Sequence, residues 1–189
     1  MSRTAVKRIP EQGIVPLLPN VRGGSARMTF DGRAFYLESG DGVYAVTHLL
    51  HNGVVEAVMG LVIEHAPPNF KGLSLRYAEE CALRFVRDAV NNGLAERTTR
   101  FPMMVRMALI DCNTCYASQD GDTSPRFPAS PVVRQLKPVL VLPDVVIKDD
   151  DQVIEQHLPA ALERMWQAWG FDGTPTFKED GAGLWHKVS

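Results

Sequence analysis

Gly40-Asp41-Gly42 interrupts an otherwise largely apolar stretch that runs from Phe35 to Ile63. Glycine reaches backbone angles that other residues adopt only at a cost, so the chain must turn or change element there. Downstream, Val43–His51 reads as a short helix with Gly53 at its C′ position, and Val54–Ile63 reads as a buried strand. The two glycines and the aspartate then stand at a helix N-terminus. Unsatisfied backbone N–H groups and the positive end of the helix dipole favour an anion at such a place, typically a phosphate.

The remaining chain carries elements of both kinds. Residues 1–27 hold Pro10, Pro16, Pro19, Gly23 and Gly24 and read as an irregular lead-in with one strand near Ile14–Leu18. Met28–Phe30 and Arg33–Glu38 are spaced for a hairpin across Asp31-Gly32. Ser74 is placed to cap a helix over Leu75–Asn92. Tyr77, Cys81, Phe85 and Ala89 make its apolar stripe, with Arg76, Glu80, Arg84, Arg87 and Asn91 opposite. Phe101–Asp111 and Val132–Leu142 read as strands, the second at an edge or bulged because of Pro138. The polar segment Tyr116–Pro131 is long enough to be a binding loop. A second helix is expected over Gln152–Trp169, followed by a glycine-rich tail packed through Phe171, Phe177 and Trp185. Strands and helices do not alternate strictly, so the expected class is α+β, a mixed sheet with packed helices in one domain over residues 1–189.

Composition narrows the function. An apolar share of 45% and a charged share of 22% suit a globular chain. The net charge of −2 exerts no global pull on nucleic acid or anionic lipid, so a DNA contact needs a local basic patch. No apolar run reaches the roughly 18–20 residues that span a bilayer, and the polar first residues do not read as a secretory signal. Three cysteines do not make a disulfide scaffold and fit a reducing cytoplasm.

Several side chains around the glycines have chemistry to offer. Glu38, Asp41 and Glu64 are the nearest carboxylates, and two of them can hold a Mg²⁺ that bridges phosphate oxygens; equally, Asp41 can simply cap the helix. His48 and His51 share a face at helical spacing, as a general base and a phosphate contact or as surface histidines at a helix end. Tyr36 and Tyr44 can stack a base or fill the core. Arg76, Arg84 and Arg87 form a row that can track a DNA backbone, but Glu79, Glu80 and Asp88 are interleaved, as on a salt-bridged solvated face. Cys112-Asn113-Thr114-Cys115 has redox spacing with no helical pattern behind it, and a zinc site needs four ligands, with only His65, His157 and His186 at a distance. Asp149-Asp150-Asp151 suits the start of the helix that follows.

The stretch Glu38–Ile63 resembles the ParB/sulfiredoxin superfamily, in which a strand runs into a glycine-containing phosphate turn, a short helix and an apolar strand. The resemblance puts the core of that fold at about residues 28–111, with a strand-helix-tail appendage over 132–189. The reactive cysteine, histidine and arginine of sulfiredoxins, and the arginines of ParB proteins, are replaced here by Asp41, Gly42, Val43 and Tyr44. Sulfinic-acid reduction and the CTP clamp therefore do not carry over. Size and divergence make the chain similar to plasmid fertility inhibition factors of that superfamily. Such a resemblance implies a cytoplasmic protein, peripheral at the inner membrane through its partner, that blocks DNA transfer through a type IV secretion system. It also implies metal-dependent ATPase and DNase activity. Glu38, Asp41 and His48 would then be catalytic, with Mg²⁺ on Glu38 and Asp41, and Gly40, Asp41, Gly42, Tyr44 and His51 would hold the ATP or DNA phosphate. The alternative is a non-catalytic inhibitor that binds a secretion coupling protein or a relaxase–DNA complex.

Overall fold

In the computed structural model the described residues are 25–39, 42–50, 54–60, 62–65, 70–91, 102–118, 133–134, 137–148, 156–180 and 185–188. The first sheet is an antiparallel meander of β1 (Ser25–Met28), β2 (Gly32–Ser39), β3 (Gly42–Leu50) and β4 (Val55–Met59), in that order. The hairpin at Asp31-Gly32 forms as expected, with the Thr29 N–H donating to the Gly32 carbonyl at 3.0 Å. Only glycine fits at position 32, because a Cβ there would stand 2.0 Å from the Leu49 carbonyl oxygen of the neighbouring strand.

The short helix expected over Val43–His51 is instead the strand β3. Val43, Tyr44, Val46 and Thr47 are β-branched or aromatic and fit a pleated surface better than a helix. Burial alternates along this strand, with Ala45, Thr47 and Leu49 inward. Leu49 packs with Val55 and with Phe85 and Ala89 of the long helix α1 (Leu75–Asn91). The buried strand expected over Val54–Ile63 is also corrected. It divides at Gly60 into β4, an exposed edge strand of the first sheet, and β5 (Val62–His65) of the second.

The second sheet runs β10 (Val133–Arg134), β9 (Tyr116–Ser118), β6 (Phe70–Ser74), β5. Its β6 and β9 are parallel and its other pairs antiparallel. β6 leads directly into α1, where the Ser74 hydroxyl accepts the Tyr77 N–H at 3.1 Å and caps the helix as expected. The strand read over Phe101–Asp111 forms as β7 (Met103–Val105) and β8 (Ala108–Ile110), interrupted at Arg106-Met107. These pair with β12 (Val145–Ile147) and β11 (Val139–Val141). The Leu142 N–H donates to the Met107 carbonyl between the two pairs and makes them one ribbon. Helix α2 (Pro159–Ala168) starts at a proline, later than the sequence pattern suggests, and Asp149, Asp150 and Asp151 lie outside the described residues. A hairpin of β13 (Phe177–Glu179) and β14 (Trp185–Lys187) closes the chain. Mixed sheets and packed helices make the class α+β.

The main core gathers Leu75, Leu83 and Val86 of α1 with Leu158, Leu162, Met165, Trp166 and Trp169 around α2. Glu79, read from sequence as part of a solvated face, is fully buried within it. It falls in the buried stripe Leu75, Glu79, Leu83, Val86, whose spacing is that of one helix face. The Trp166 indole N–H and the Thr174 hydroxyl each donate to the Glu79 carboxylate at 2.7 Å. Burial pushes the Glu79 carboxyl above its ordinary 4.5, against the lowering effect of bonds from Thr174, Trp166 and Thr176, while the Glu80 charge adds to the rise.

Glu79→Ala leaves the buried indole N–H and the half-buried Thr174 hydroxyl without their acceptor and is expected to cost about 2 kcal/mol in denaturant unfolding. Glu79→Gln keeps the shape and removes the titration. Because the folded carboxyl is raised, its contribution is fully present below pH 4.5 and is lost as pH rises through the folded value. The wild-type midpoint should fall across that window, and the glutamine variant should lose this slope.

Candidate functional site

The glycine corner is the end of the β2–β3 hairpin. Backbone pairing sets Glu38 against Val43 and Ser39 against Gly42, and a register shift between Leu37 and Glu38 bulges the strand there. Gly40, Asp41 and His51 lie outside the described residues, as do the side chains of Glu38 and Tyr44. No helix starts at Gly42, so the dipole and free N–H groups expected to attract a phosphate are not supplied by a helix. His48 pairs with Ala34, near the opposite end of the hairpin. At about 3.3 Å per residue it stands about 20 Å from Gly42. The structure therefore does not bring His48 to Glu38. The helical spacing expected to put His48 and His51 on one face is not present at His48, which lies on β3, and His51 is outside the described residues.

His48 has other company. Its Nε2 is 2.9 Å from the Thr29 hydroxyl and 3.4 Å from an Asp31 carboxylate oxygen. On the same open face the Arg27 guanidinium lies 5.8 Å from the Tyr36 ring centroid, and Glu56 sits across from His48 on β4. The hydroxyl and the carboxylate approach the same ring nitrogen. A carboxylate that orients a catalytic histidine works instead from the other nitrogen. The cluster thus anchors the β1–β2 turn, whose tip carries the fully exposed Phe30. On the opposite face of β3 the Thr47 hydroxyl is buried and has no partner among the described residues.

The three arginines read from sequence all stand on the long helix. Arg76, Arg84 and Arg87 are all exposed along α1. Arg76 Nε is 3.5 Å from a Glu80 carboxylate oxygen, one turn along the same face. The row is therefore mixed in charge.

One surface feature among the described residues is missed by the sequence reading. Burial alternates along 103–110, with Met104, Arg106, Ala108 and Ile110 outward. Their partners across the ribbon, Val146 and, at the other end, Val141 and Val139, are exposed as well. Met104 is 60% exposed, Ile110 70% and Val141 62%. In the middle, Arg106 donates two hydrogen bonds to Asp144, at 2.9 and 2.7 Å. That fork holds the Asp144 carboxyl below its ordinary range and raises Arg106. Period-two alternation in Met103–Ile110 was the available signal, hidden because apolar residues dominate both phases.

Cys112 and Cys115 are buried at either end of a 3-10 turn (Cys112–Thr114), and Cys81 is buried on α1. The His157 Nε2 is buried without a partner among the described residues. Among those residues no group of three or more His, Cys, Asp or Glu side chains stands close enough to hold a metal. No helix among them is long and apolar enough to cross a membrane. No family model, curated protein or solved structure matches the chain.

Thr47→Val replaces a buried hydroxyl that has no partner among the described residues with a methyl of the same shape. It is expected to raise unfolding stability by about 1 kcal/mol, read as a higher denaturant midpoint at unchanged slope.

Proposed function

We propose that this protein is a cytoplasmic fertility inhibition factor of the oncogenic-suppression type that acts by binding. It takes the fold as a divergent ParB/sulfiredoxin-like one, in which the short helix after the glycines has become a strand. The target is a type IV secretion coupling protein or a relaxase–DNA complex, and the protein joins the inner membrane only through that partner. The observation that supports binding is the exposed apolar face of the ribbon, formed by Met104, Val146, Ala108, Val141, Ile110 and Val139 around the Arg106–Asp144 pair. Large apolar side chains around a fixed polar pair are what a partner's pocket can seal from water. Arg76, Arg84 and Arg87 of α1 supply a second, charged face to a relaxase-bound DNA backbone.

Hydrolysis is the weaker reading, because Glu38 and His48 stand apart along a hairpin and the expected helix terminus is replaced by a strand. Metal-dependent ATPase and DNase activity would need Glu38 and Asp41 to hold Mg²⁺ without help from His48.

Met104→Asp with Ile110→Asp changes only exposed positions and should leave unfolding stability within about 0.5 kcal/mol. It should weaken binding to a purified coupling protein or relaxase–DNA complex at least about tenfold, or about 1.4 kcal/mol. In parallel, wild-type and Asp41→Ala proteins are incubated with ATP and DNA, with Mg²⁺ or with EDTA. Full binding by a folded double variant, or Mg²⁺-dependent turnover lost in Asp41→Ala, would overturn the binding reading.

A further inference from the structure

The turn Cys112–Thr114 joins β8 of the exposed ribbon to β9 of the second sheet. The Cys115 N–H donates to the Cys112 carbonyl at 3.3 Å. A turn closed this way holds its first and fourth Cα atoms within about 7 Å, and a disulfide needs about 4.4–6.8 Å. Both thiols sit in one core cluster, 2% exposed each. The Cys112 Sγ donates to the Leu109 carbonyl at 3.1 Å, and the Cys115 Sγ to the Asp111 carbonyl at 3.7 Å. These are weak bonds that a covalent link can replace. Asp111, just before the turn, holds a left-handed backbone angle (φ 59°) that is uncommon outside glycine. The Cys112 N–H also donates to the Pro138 carbonyl at 2.9 Å, one residue before β11.

We propose that Cys112 and Cys115 are a dithiol switch that closes to an internal disulfide and shifts the β8–β11 end of the ribbon. Its effect on docking rests on the binding reading above; the disulfide itself does not. The oxidant is a low-molecular-weight disulfide such as oxidised glutathione. One cysteine thiolate attacks a glutathione sulfur and expels a glutathione thiolate, which takes up the proton. The second cysteine attacks the resulting mixed disulfide at the protein sulfur, gives up its own proton and expels the second glutathione. Two thiols and one disulfide thus become one protein disulfide and two glutathione thiols.

Burial pushes the Cys112 thiol up, and the nearby Cys115 charge adds to the rise. Each thiol is 2% exposed, so attack on glutathione waits on a local opening of the turn, and the exchange answers sustained oxidation rather than brief pulses.

The test uses the whole chain, incubated with oxidised glutathione, quenched in acid, unfolded with an alkylating agent and mapped by mass spectrometry. The peptide holding both cysteines should lose two hydrogens and both alkylation sites, Cys81 should still alkylate, and dithiothreitol should reverse the change. Continued alkylation of both cysteines, or a glutathione adduct that never resolves to the internal bond, would overturn the proposal. The wild-type map decides this even if Cys112→Ser fails to fold. Hydrogen exchange on the oxidised protein then reads the coupling without any partner. Amides in Ala108–Ile110 and Val139–Val141 should change rate while those of Ala45–Leu49 do not. Unchanged exchange in the ribbon would refute the switch even where the disulfide forms.

Discussion

A carboxylate shut away from the surface has to be held by its neighbours, and Glu79 is held by an indole and a hydroxyl from segments far along the chain. Trp166 comes from α2 and Thr174 from the stretch that follows it, so one acidic side chain of α1 fixes both. Thr176 extends the arrangement, donating its N–H to the same Thr174 oxygen at 3.1 Å. Around this knot lie Trp169, Leu158 and Leu162, none with measurable exposure. The Trp166 ring meets Phe171 edge-on, with centroids 5.6 Å apart. Apolar area supplies most of the driving force for such a core, but area has no direction. The hydrogen bonds to Glu79 are what give α2 one orientation against α1.

Much of the architecture is legible in the sequence where a single strong signal acts. Ser74 before an amphipathic run marks α1, and the hydroxyl does cap it. Asp31-Gly32 marks the first hairpin. The apolar spacing of Leu158, Leu162, Met165 and Trp166 marks α2, although its start is set by Pro159 rather than by the acids upstream.

The glycine corner is the instructive failure. Val43–Leu50 is apolar in both periods, and glycines in front with a glycine behind suit a capped helix as well as a hairpin. The decision is made by β-branched side chains and by partners on both sides of β3, in β2 and β4. Those partners come from sequence that a local reading does not weigh. With the helix goes the close approach of Glu38 and His48 that such an active site needs. Glu79 shows the reverse error: a charged letter among other charges reads as surface, yet its helical phase puts it inside.

The parallel pairing of β6 with β9 carries a kinetic consequence. Gly72 lies beside Tyr116, and the whole of α1 and the first arm of the ribbon intervene between them in the chain. Closing that distance costs chain entropy before any hydrogen bond rewards it. The first sheet, by contrast, is three successive hairpins that can zip locally. Folding should therefore be uneven in time, with the meander early and the second sheet late. The dithiol turn directly precedes β9, so Cys112 and Cys115 are among the last side chains to be sealed from solvent.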